Sequence, residues 1–250
     1  MSKNNDLDEN VDPCINLPWD SQFFDRRIAR VKSGNLDLEG VREVSEWCKA
    51  NNIDCAYFLL EYPNKSSVEL LLENGFFDAG MKNTFGIEAT ENKIVKTDDK
   101  DIKIGTFKEE DVEGLKKIAS SSYHETRFYN DPKFDDKKCD EFYETWIENS
   151  CRGYADNVFV SRQDSKTMGY VTCHKKEDRG VIGLIGVAKE DRGHGVGKAL
   201  ISAAIKYFSV DGLTNIRAVT QGNNNQAIRF YENCGFKLLS VEQWFHRWFE

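Results

Sequence analysis

The chain has 250 residues, 40% of them hydrophobic, and a formal net charge of −8 at pH 7. This length suits one large domain or two small ones. The acidic balance argues against a general nucleic-acid-binding protein, because such proteins neutralise phosphates with Lys and Arg. No apolar run approaches the ~18 residues of a membrane span, so we expect neither nucleic acid nor a membrane as a partner.

The cysteines and the N-terminus predict a cytoplasmic protein. The 7 cysteines, from Cys14 to Cys234, are an odd number and include no CxxC pair. This excludes a complete set of disulfides within the chain and gives no support for a zinc site. The 4 His lack metal-ligand spacing, so no metal is expected. Residues 1–12 are polar and acidic without the apolar segment of a signal peptide, and they predict a disordered tail.

An N-terminal domain is predicted over residues 13–90, where strand and helix patterns alternate. The predicted elements are strand Arg27–Val31, helix Leu38–Asn51, strand Cys55–Leu60, short helix Ser66–Asn74 and the extended segment Phe76–Ile87. Residues 91–100, with the sequence ENKIVKTDDK, are charged and nearly free of apolar side chains, which is typical of a linker.

A second domain is predicted over residues 101–250. Its first half contains strand Ile102–Phe107, helix Glu109–Ser122, a loop from Tyr123 to Asp136, helix Lys137–Cys151 and a hairpin of Asn157–Arg162 with Thr167–His174. Its second half contains the central strand Val181–Ala188, helix Gly195–Phe208, strand Ile216–Thr220, helix Asn223–Cys234 with Gly235 as C-cap, and strands Phe236–Leu239 and Gln243–Trp248. Strand Gln243–Trp248 could pair across a homodimer.

The two domains contain similar sequences. Leu72-Glu73-Asn74-Gly75-Phe76 resembles Tyr231-Glu232-Asn233-Cys234-Gly235-Phe236, and an alternating strand follows each. The similarity suggests a duplication in which the first copy lacks a glycine-rich turn. Chance is the alternative, because a helix, a glycine, a phenylalanine and a strand are a common succession.

The glycine-rich turn Arg192-Gly193-His194-Gly195-Val196-Gly197-Lys198 lies between the central strand and a helix. A turn of this kind suits an anion, because the first backbone N–H groups of a helix have no internal partner. Its spacing differs from the GxGxxG of dinucleotide-binding folds, and Ala199 stands where a P-loop needs Ser or Thr. We therefore expect a phosphate or diphosphate ligand of another kind.

Two linked motifs resemble the Gcn5-related N-acetyltransferase (GNAT) family. They are Arg192-x-x-Gly195-x-Gly197, and Asn224-x-x-Ala227-x-x-x-Tyr231 followed by Gly235-Phe236. The resemblance covers about residues 101–250 and implies a catalytic domain there. The implied fold is α/β (α+β), with a mixed central sheet flanked by helices, preceded by a smaller, truncated GNAT-like domain. Acetyl-CoA is the implied co-substrate.

The resemblance also implies a role for individual residues. Tyr231 protonates the departing thiolate, and a phenol suits this role because its pKa is near 10. The strand edge at Leu184, Ile185, Gly186 and Val187 pairs with the pantetheine arm, where the strand Ile216–Thr220 splays away. The coenzyme diphosphate is bound by the turn residues Arg192, Gly193, His194, Gly195, Val196, Gly197 and Lys198. Asn224 contacts the arm or caps its helix, and both roles stay open.

The acceptor is expected in the loop from Tyr123 to Asp136. Arg127-Phe128…Asp131-Pro132, then Phe142-Tyr143-x-x-Trp146-Ile147-Glu148-Asn149, resemble the sugar-nucleotide branch of the family. This resemblance implies polysaccharide biosynthesis and, as acceptor, the 4-amino group of a dTDP-4-amino-4,6-dideoxyhexose, which attacks acetyl-CoA directly in a ternary complex. Arg127, Phe128, Tyr129 and His174 are the candidate substrate contacts, whereas Trp146 is expected in the core.

Other functions stay open at this point. A protein N-terminus, a lysine or a small amine is an alternative acceptor, and a non-catalytic CoA-binding module is the alternative to an enzyme. Direct attack requires a neutral amine, so a base or a water path must remove a proton. His174, His124 and Glu125 are the candidate bases.

Overall fold

The structure, a computed structural model, describes residues 12–89, 102–164 and 166–249. The predicted linker 91–100 and, apart from Asp12, the predicted tail 1–12 lie outside these ranges. The chain forms two compact units: unit 1 comprises residues 1–78 and 243–250, and unit 2 comprises residues 79–242. None of the described helices is long and apolar enough to cross a membrane.

The division into units differs from the predicted one in two places. Residues 79–88 belong to unit 2, because residues 82–88 pair antiparallel with residues 215–221. Residues 243–250 belong to unit 1, where Phe245 is fully buried. Both assignments depend on partners that are distant in sequence.

The described residues of unit 1 form three strands and three helices of their own. They are β1 (Cys14–Asn16), α1 (Pro18–Phe24), β2 (Ile28–Val31), α2 (Leu38–Ala50), β3 (Cys55–Glu61) and α3 (Lys65–Glu73). β1 pairs antiparallel with β2, and β2 pairs parallel with β3. β1 and α1 were not predicted. Pro18 was the available signal for α1, because the fixed φ of proline suits the first turn of a helix.

The core of unit 1 includes the inner face of α2. Val41, Val44 and Cys48 are at most 2% exposed, as their helical spacing predicts. They belong to one buried cluster with Phe58, Leu60, Leu71, Phe76 and Phe245. Burying one large apolar side chain contributes about 1.5–3 kcal/mol, so the strand that carries Phe245 stabilises unit 1.

Unit 2 contains a mixed sheet flanked by helices, which confirms the predicted fold class. Its strands are β4 (Phe77–Glu88), β5 (Lys103–Thr106), β6 (Asn157–Gln163), β7 (Lys166–Lys176), β8 (Arg179–Val187), β9 (Asn215–Gln221) and the first half of β10 (Lys237–Trp248). Its helices are α4 (Val112–Ser120), α5 (Arg127–Asn130), α6 (Asp136–Asn149), α7 (Val196–Val210) and α8 (Asn225–Asn233).

The sheet of unit 2 has one parallel pair of strands, β8 with β9, among the antiparallel pairs of its described residues. β5 to β8 pair antiparallel in chain order, β8 pairs parallel with β9, and β9 pairs antiparallel with β4. The structure has one strand, β10, where two were predicted, and it has a short helix, α5, within the predicted acceptor loop.

The two similar segments have similar helix starts. The Asn64 side chain caps α3 by accepting from Ser67 N at 3.1 Å. The Asn224 side chain caps α8 by accepting from Ala227 N at 2.9 Å. An asparagine at this position satisfies one of the free N–H groups of the first turn. Each helix begins after a strand that is parallel to an earlier strand of the same segment, β3 to β2 and β9 to β8.

The same segments also have similar helix ends. The Leu71 carbonyl accepts from Phe76 N, and the Tyr231 carbonyl accepts from Phe236 N, both at 3.0 Å. The glycine before each phenylalanine has a positive φ, +79° in the first segment and +84° in the second, as expected for a residue that follows a helix. Relative to this glycine, Leu71 in the first segment and Tyr231 in the second occupy equivalent positions.

An ion pair joins the start of α4 to the sheet of unit 2. Arg162 Nε donates to Asp111 Oδ1 at 2.7 Å, and Arg162 Nη2 donates both to Asp111 Oδ2 and to Thr106 O. The side chain of Asp111 is 3% exposed and that of Arg162 is 16% exposed. Two parallel bonds between a guanidinium and a carboxylate fix geometry as well as adding energy.

We expect Arg162→Met to lower the free energy of unfolding by about 2 kcal/mol, because the Asp111 carboxylate stays buried without its counter-charge. The loss is moderated by Lys108 N, which still donates to Asp111 Oδ2 at 2.7 Å. Urea unfolding measures the change. Lys108→Met removes an exposed pair with Glu110 and should cost less than about 0.5 kcal/mol. Equal losses from both variants would contradict a special contribution from the buried pair.

Candidate functional site

Two central strands of unit 2 separate at one end. β8 and β9 pair only from Gly180↔Ile216 to Ile182↔Ala218. Beyond these residues β8 continues to Val187 and β9 to Gln221, and the described chain places no ladder partner between them. β4 stays paired with β9 as far as Gln221, the last residue of β9. The separation leaves one edge of β8, including residues 184–187, without a strand partner among the described residues.

A β-bulge lies where the two strands begin to separate. The ladder between β7 and β8 shifts by one residue, so that Gly183 and Leu184 both lie opposite Thr172. The Leu184 N–H donates to Thr172 Oγ1 at 2.8 Å. Gly183 has no room for a side chain, because a Cβ would lie 2.5 Å from His174 Nε2. Of the predicted strand-edge residues, Leu184 therefore has its N–H already bonded.

The glycine-rich turn ends at the N-terminus of α7. Gly193 and Gly195 have φ of +82° and +81°, a conformation that glycine adopts at no steric cost. The first carbonyl-bonded amide of the helix is Ala199 N, which donates to Gly195 O at 3.0 Å. Three preceding N–H groups have no carbonyl acceptor among the described residues, those of Val196, Gly197 and Lys198. Together with the helix dipole they form a site suited to an anion.

The side chains of this turn differ in what they contact. Arg192 Nε donates to Val187 O at 3.1 Å, so Arg192 joins the turn to the end of β8. The side chains of His194 and Lys198 are exposed. Gly197 allows α7 to lie against α8, because a Cβ there would be 2.9 Å from the Phe230 ring. The backbone, with Lys198 beside it, supplies the free donors.

Asn224 caps α8, which was one of the two roles left open by the sequence. Its Oδ1 accepts from Ala227 N, and its Nδ2 donates to Glu125 Oε2 at 3.4 Å. Glu125 belongs to the predicted acceptor loop. The cap therefore links α8 to that loop and engages one of the candidate bases.

Tyr231 lies on the buried face of α8 and is 3% exposed. Its ring stacks on Phe85 with centroids 5.8 Å apart, and it packs against Phe230 at 5.3 Å and Phe236 at 5.5 Å. Burial raises the pKa of the Tyr231 phenol above its ordinary value near 10. The phenol is therefore protonated at neutral pH, as a proton donor must be.

A second phenol lies at the free part of β8 and was missed by the sequence analysis. Tyr123 Oη donates to Ile185 O at 3.1 Å and lies 3.0 Å from Tyr170 Oη. Desolvation raises the pKa of the Tyr123 phenol, and the nearby phenols of Tyr170 and Tyr231 raise it further. The only sequence signal was the place of Tyr123 at the start of the acceptor loop.

Phe128, a predicted substrate contact, lies in the core of unit 2. It is 3% exposed and packs against Phe134 at 5.3 Å and Phe142 at 4.8 Å. A ring in this position cannot stack on a sugar while the cluster stays intact, so the structure corrects this prediction. Trp146, which was expected in the core, is half-buried and packs edge-on against Phe142.

The other predicted contacts of the acceptor loop are partly exposed. The Arg127 guanidinium lies 4.2 Å from the Phe128 ring centroid. Tyr129 Oη donates to Asp140 Oδ1 at 2.6 Å, and its ring lies edge-on to that of His124 at 4.9 Å. Desolvation raises the pKa of the Tyr129 phenol, and the bond to Asp140 adds to this effect. Arg127 and Tyr129 are thus partly exposed, whereas Phe128 is buried.

His174 lies beside the bulge, on the same face of the sheet as Thr172. It is half-buried, and its ring packs edge-on against Tyr154 at 5.5 Å. Burial lowers the pKa of the imidazole below its ordinary value near 6.5, and the Asp156 carboxylate opposes this only in part. His174 is therefore mostly neutral at pH 7, which is the form that accepts a proton.

The lowered pKa of His174 predicts a pH dependence of stability. The unfolded chain takes up the proton at a higher pH than the folded chain does. The stabilisation that His174 provides as a neutral group is therefore complete above about pH 6.5 and is lost as the pH falls below it, by at most about 1.4 kcal/mol per pH unit. We expect His174→Gln to reduce the change of the urea unfolding midpoint between pH 7 and 5.5. The exposed His194→Gln is the control, and an equal flattening there would contradict the assignment.

Comparison with known proteins supports the family that the motifs resemble. Residues 117–236 match the acetyltransferase (GNAT) family model. The spore coat polysaccharide biosynthesis protein SpsD of Bacillus subtilis is 25% identical over 138 residues, which are 55% of this chain and 48% of that protein. The dTDP-fucosamine acetyltransferase of Escherichia coli is 28% identical over 142 residues, 56% of this chain and 60% of that protein.

These relatives are matched over part of their length only, about half in each case. A solved structure described as a GCN5-related N-acetyltransferase from Sphaerobacter thermophilus superposes with a TM-score of 0.64, covering 94% of this chain and 75% of the other at 14% identity. At this identity the likeness establishes the fold alone. The separated strands, the glycine-rich turn and α8 all lie within the matched residues 117–236, and through this region the chain belongs to the acetyltransferase (GNAT) family.

Proposed function

We propose that the protein transfers an acetyl group from acetyl-CoA to the 4-amino group of a dTDP-4-amino-4,6-dideoxyhexose. The observation that carries the donor half is the free edge of β8 leading into three N–H groups without acceptors at α7. A ligand that fits both must have an extended arm with amide groups and end in an anionic group. Coenzyme A has this composition, with a pantetheine arm and a diphosphate.

In the proposed site the backbone of residues 196–198 holds the diphosphate, and the edge of β8 holds the arm. The Ile185 carbonyl accepts from Tyr123, the Leu184 N–H donates to Thr172 and the Val187 carbonyl accepts from Arg192. The arm would pair with the remaining backbone groups of residues 185–187. Gly186 lacks a side chain because a Cβ would lie 2.9 Å from Ile118. Bound acetyl-CoA supplies an activated acyl group.

Tyr231 and His174 are assigned the acid and base roles in the proposed site. Tyr231, which is protonated at neutral pH, donates a proton to the departing thiolate. His174, which is neutral at pH 7, accepts the proton of the attacking amine directly or through water. Glu125 is a weaker candidate because it already accepts a bond from Asn224. The amine attacks directly, so the enzyme forms no covalent intermediate.

The acceptor half of the proposal is supported by the names of two relatives. One is a dTDP-fucosamine acetyltransferase and the other a spore coat polysaccharide biosynthesis protein. Arg127 would contact the acceptor diphosphate, since a guanidinium binds phosphate with two parallel bonds, and Tyr129 would contact the sugar. We also propose that unit 1 is a truncated copy of the GNAT fold, in which Leu71 replaces the acid.

The proposal is tested by incubating the protein with acetyl-CoA and one acceptor at a time. The acceptors are dTDP-4-amino-4,6-dideoxygalactose, its glucose epimer, a peptide with a free N-terminus, a lysine peptide and spermidine. We expect release of free thiol with at least one dTDP-amino sugar and an acetylated sugar by mass spectrometry. Release with a peptide or spermidine alone would reassign the acceptor. No release with any acceptor, despite binding of acetyl-CoA, would indicate a coenzyme-binding module.

A further inference from the structure

Unit 1 has a cleft of about 260 Å³ beside α2, away from the residues assigned above. It is lined by one face of this helix together with the end of α3 and one side chain from β10. The lining residues are Val41, Arg42, Ser45, Glu46, Lys49, Asn74 and Arg247. Three of the seven are cationic and one is acidic.

Arg247 is held in this cleft by apolar and neutral groups. Its Nη1 donates to Ser45 Oγ at 2.7 Å, and its guanidinium lies 5.3 Å from the Phe76 ring centroid and 5.2 Å from that of Phe249. Aromatic faces attract a cation but accept few hydrogen bonds. A guanidinium has five N–H donors, so most of those of Arg247 stay available.

The described residues place no carboxylate within ion-pair distance of Arg247, Arg42 or Lys49. The described residues are nine-tenths of the chain and include Glu46. Glu46 lies between Arg42 and Lys49 on the same helix but pairs with neither. Burial lowers the pKa of Arg247, which agrees with a guanidinium that no carboxylate compensates. A half-buried cation is costly unless a counter-charge is supplied, and none of the described residues supplies one to Arg247.

The size of the cleft restricts the ligand. Sites for drug-sized ligands and cofactors are roughly 300–1,000 Å³, so about 260 Å³ suits a small anion better than a whole nucleotide sugar or coenzyme. A planar guanidinium favours phosphate or carboxylate, which it can bind with two bonds. Arg42 and Lys49 lie two helical turns apart on α2 and would contact the outer part of the same anion.

We propose that unit 1 binds a small phosphorylated or carboxylated metabolite in this cleft, with Arg247 as the main contact and Arg42 and Lys49 as additional cations. Ser45 orients Arg247, because its Oγ accepts from the guanidinium and donates to the Val41 carbonyl. This site is separate from the acetyl-transfer residues and does not depend on their assignment.

The test is isothermal titration of the full chain with sodium phosphate, pyrophosphate or succinate. We expect at least one of them to bind, Arg247→Gln to weaken that binding at least tenfold, and the exposed pair Arg42→Gln with Lys49→Gln to weaken it about three- to tenfold. Comparing the affinities for phosphate and succinate shows whether the cleft prefers a phosphate or a carboxylate group. Arg30→Gln, an exposed cation of β2 in the same unit, is the matched control and should leave the affinity unchanged.

The variant Lys198→Gln distinguishes anion binding at the N-terminus of α7 from anion binding in the cleft. Loss of affinity in Lys198→Gln with none in Arg247→Gln would assign the anion to the turn and overturn the proposal. Equal affinity of the wild type and both cleft variants for all three anions would also overturn it, since the cations would then be an ordinary solvated face. The double variant on α2 is exposed, so the result does not depend on Arg247→Gln folding normally.

Discussion

Tyr231→Phe is expected to lower kcat by about 10²- to 10⁴-fold, the range that a positioned proton donor contributes, while the KM for acetyl-CoA changes by less than about threefold. The variant loses one hydroxyl and keeps the ring that packs on Phe85, Phe230 and Phe236. Coenzyme contacts and folding should therefore be retained while the thiolate departs without its acid. Steady-state kinetics with the acceptor identified above, and urea unfolding of both proteins, measure the two effects.

Tyr207→Phe is the control for this substitution. Tyr207 lies on α7, packs against Phe159, and donates to Asp156 O at 3.4 Å, so it should change kcat by less than about twofold. A rate for Tyr231→Phe within threefold of the wild type would remove Tyr231 as the acid. Tyr123, whose phenol donates to the Ile185 carbonyl in the free part of β8, would then be the next residue to examine.

Gly195→Asp is expected to raise the KM for acetyl-CoA by about 100-fold or more. In unit 1 the N-cap of α2 is Asp37, whose carboxylate accepts from Gly40 N at 2.8 Å. Gly195 has a positive φ, unlike Asp37, so an aspartate at 195 would not reproduce that cap. It would still place a carboxylate beside the N–H groups of α7 and repel a diphosphate. Each hydrogen bond to a charged group that is lost costs about 1.5–3 kcal/mol, and about 2.7 kcal/mol corresponds to 100-fold. Direct titration with acetyl-CoA provides the measurement.

Two controls separate charge from backbone strain. The asparagine of Gly195→Asn has nearly the same shape as aspartate and tolerates a positive φ, but it adds no charge. This variant should weaken the binding of acetyl-CoA by about tenfold only. Gly212→Asp introduces aspartate at a comparable φ of +74°, in a turn with open space around it, and should affect stability alone. If Gly195→Asn and Gly195→Asp weakened binding equally, repulsion of a diphosphate would not explain the effect.

Features that depend on neighbouring residues could be predicted from the sequence. The turn 192–198 follows a strand and precedes a helix as expected, with positive φ at two of its glycines. The asparagine cap, the glycine after α8 and the apolar face of α7 are likewise local patterns. The family resemblance drawn from these motifs is confirmed by the match over residues 117–236.

Features that depend on distant partners could not be predicted. Nothing in residues 82–88 indicates that they pair with residues 215–221. The bulge at Thr172 depends on which strand lies opposite, although Gly183 marked a position without room for a side chain. The spacing of aromatic residues in 123–136 did not show which ring faces inward, and Phe128 was therefore placed at the substrate rather than in the core.

The composition of unit 1 has a consequence for folding during synthesis. Its residues 1–78 leave the ribosome first, but Phe245 and Arg247, which contact Phe58 and Ser45, follow only after all of residues 79–242. At roughly 5–20 residues per second, the nascent chain holds an incomplete apolar core for roughly 10–30 s. Unit 2 is continuous in sequence and can close earlier. Within this chain, unit 1 is therefore begun before unit 2 but completed after it. We expect a chaperone to bind its exposed apolar core during that interval.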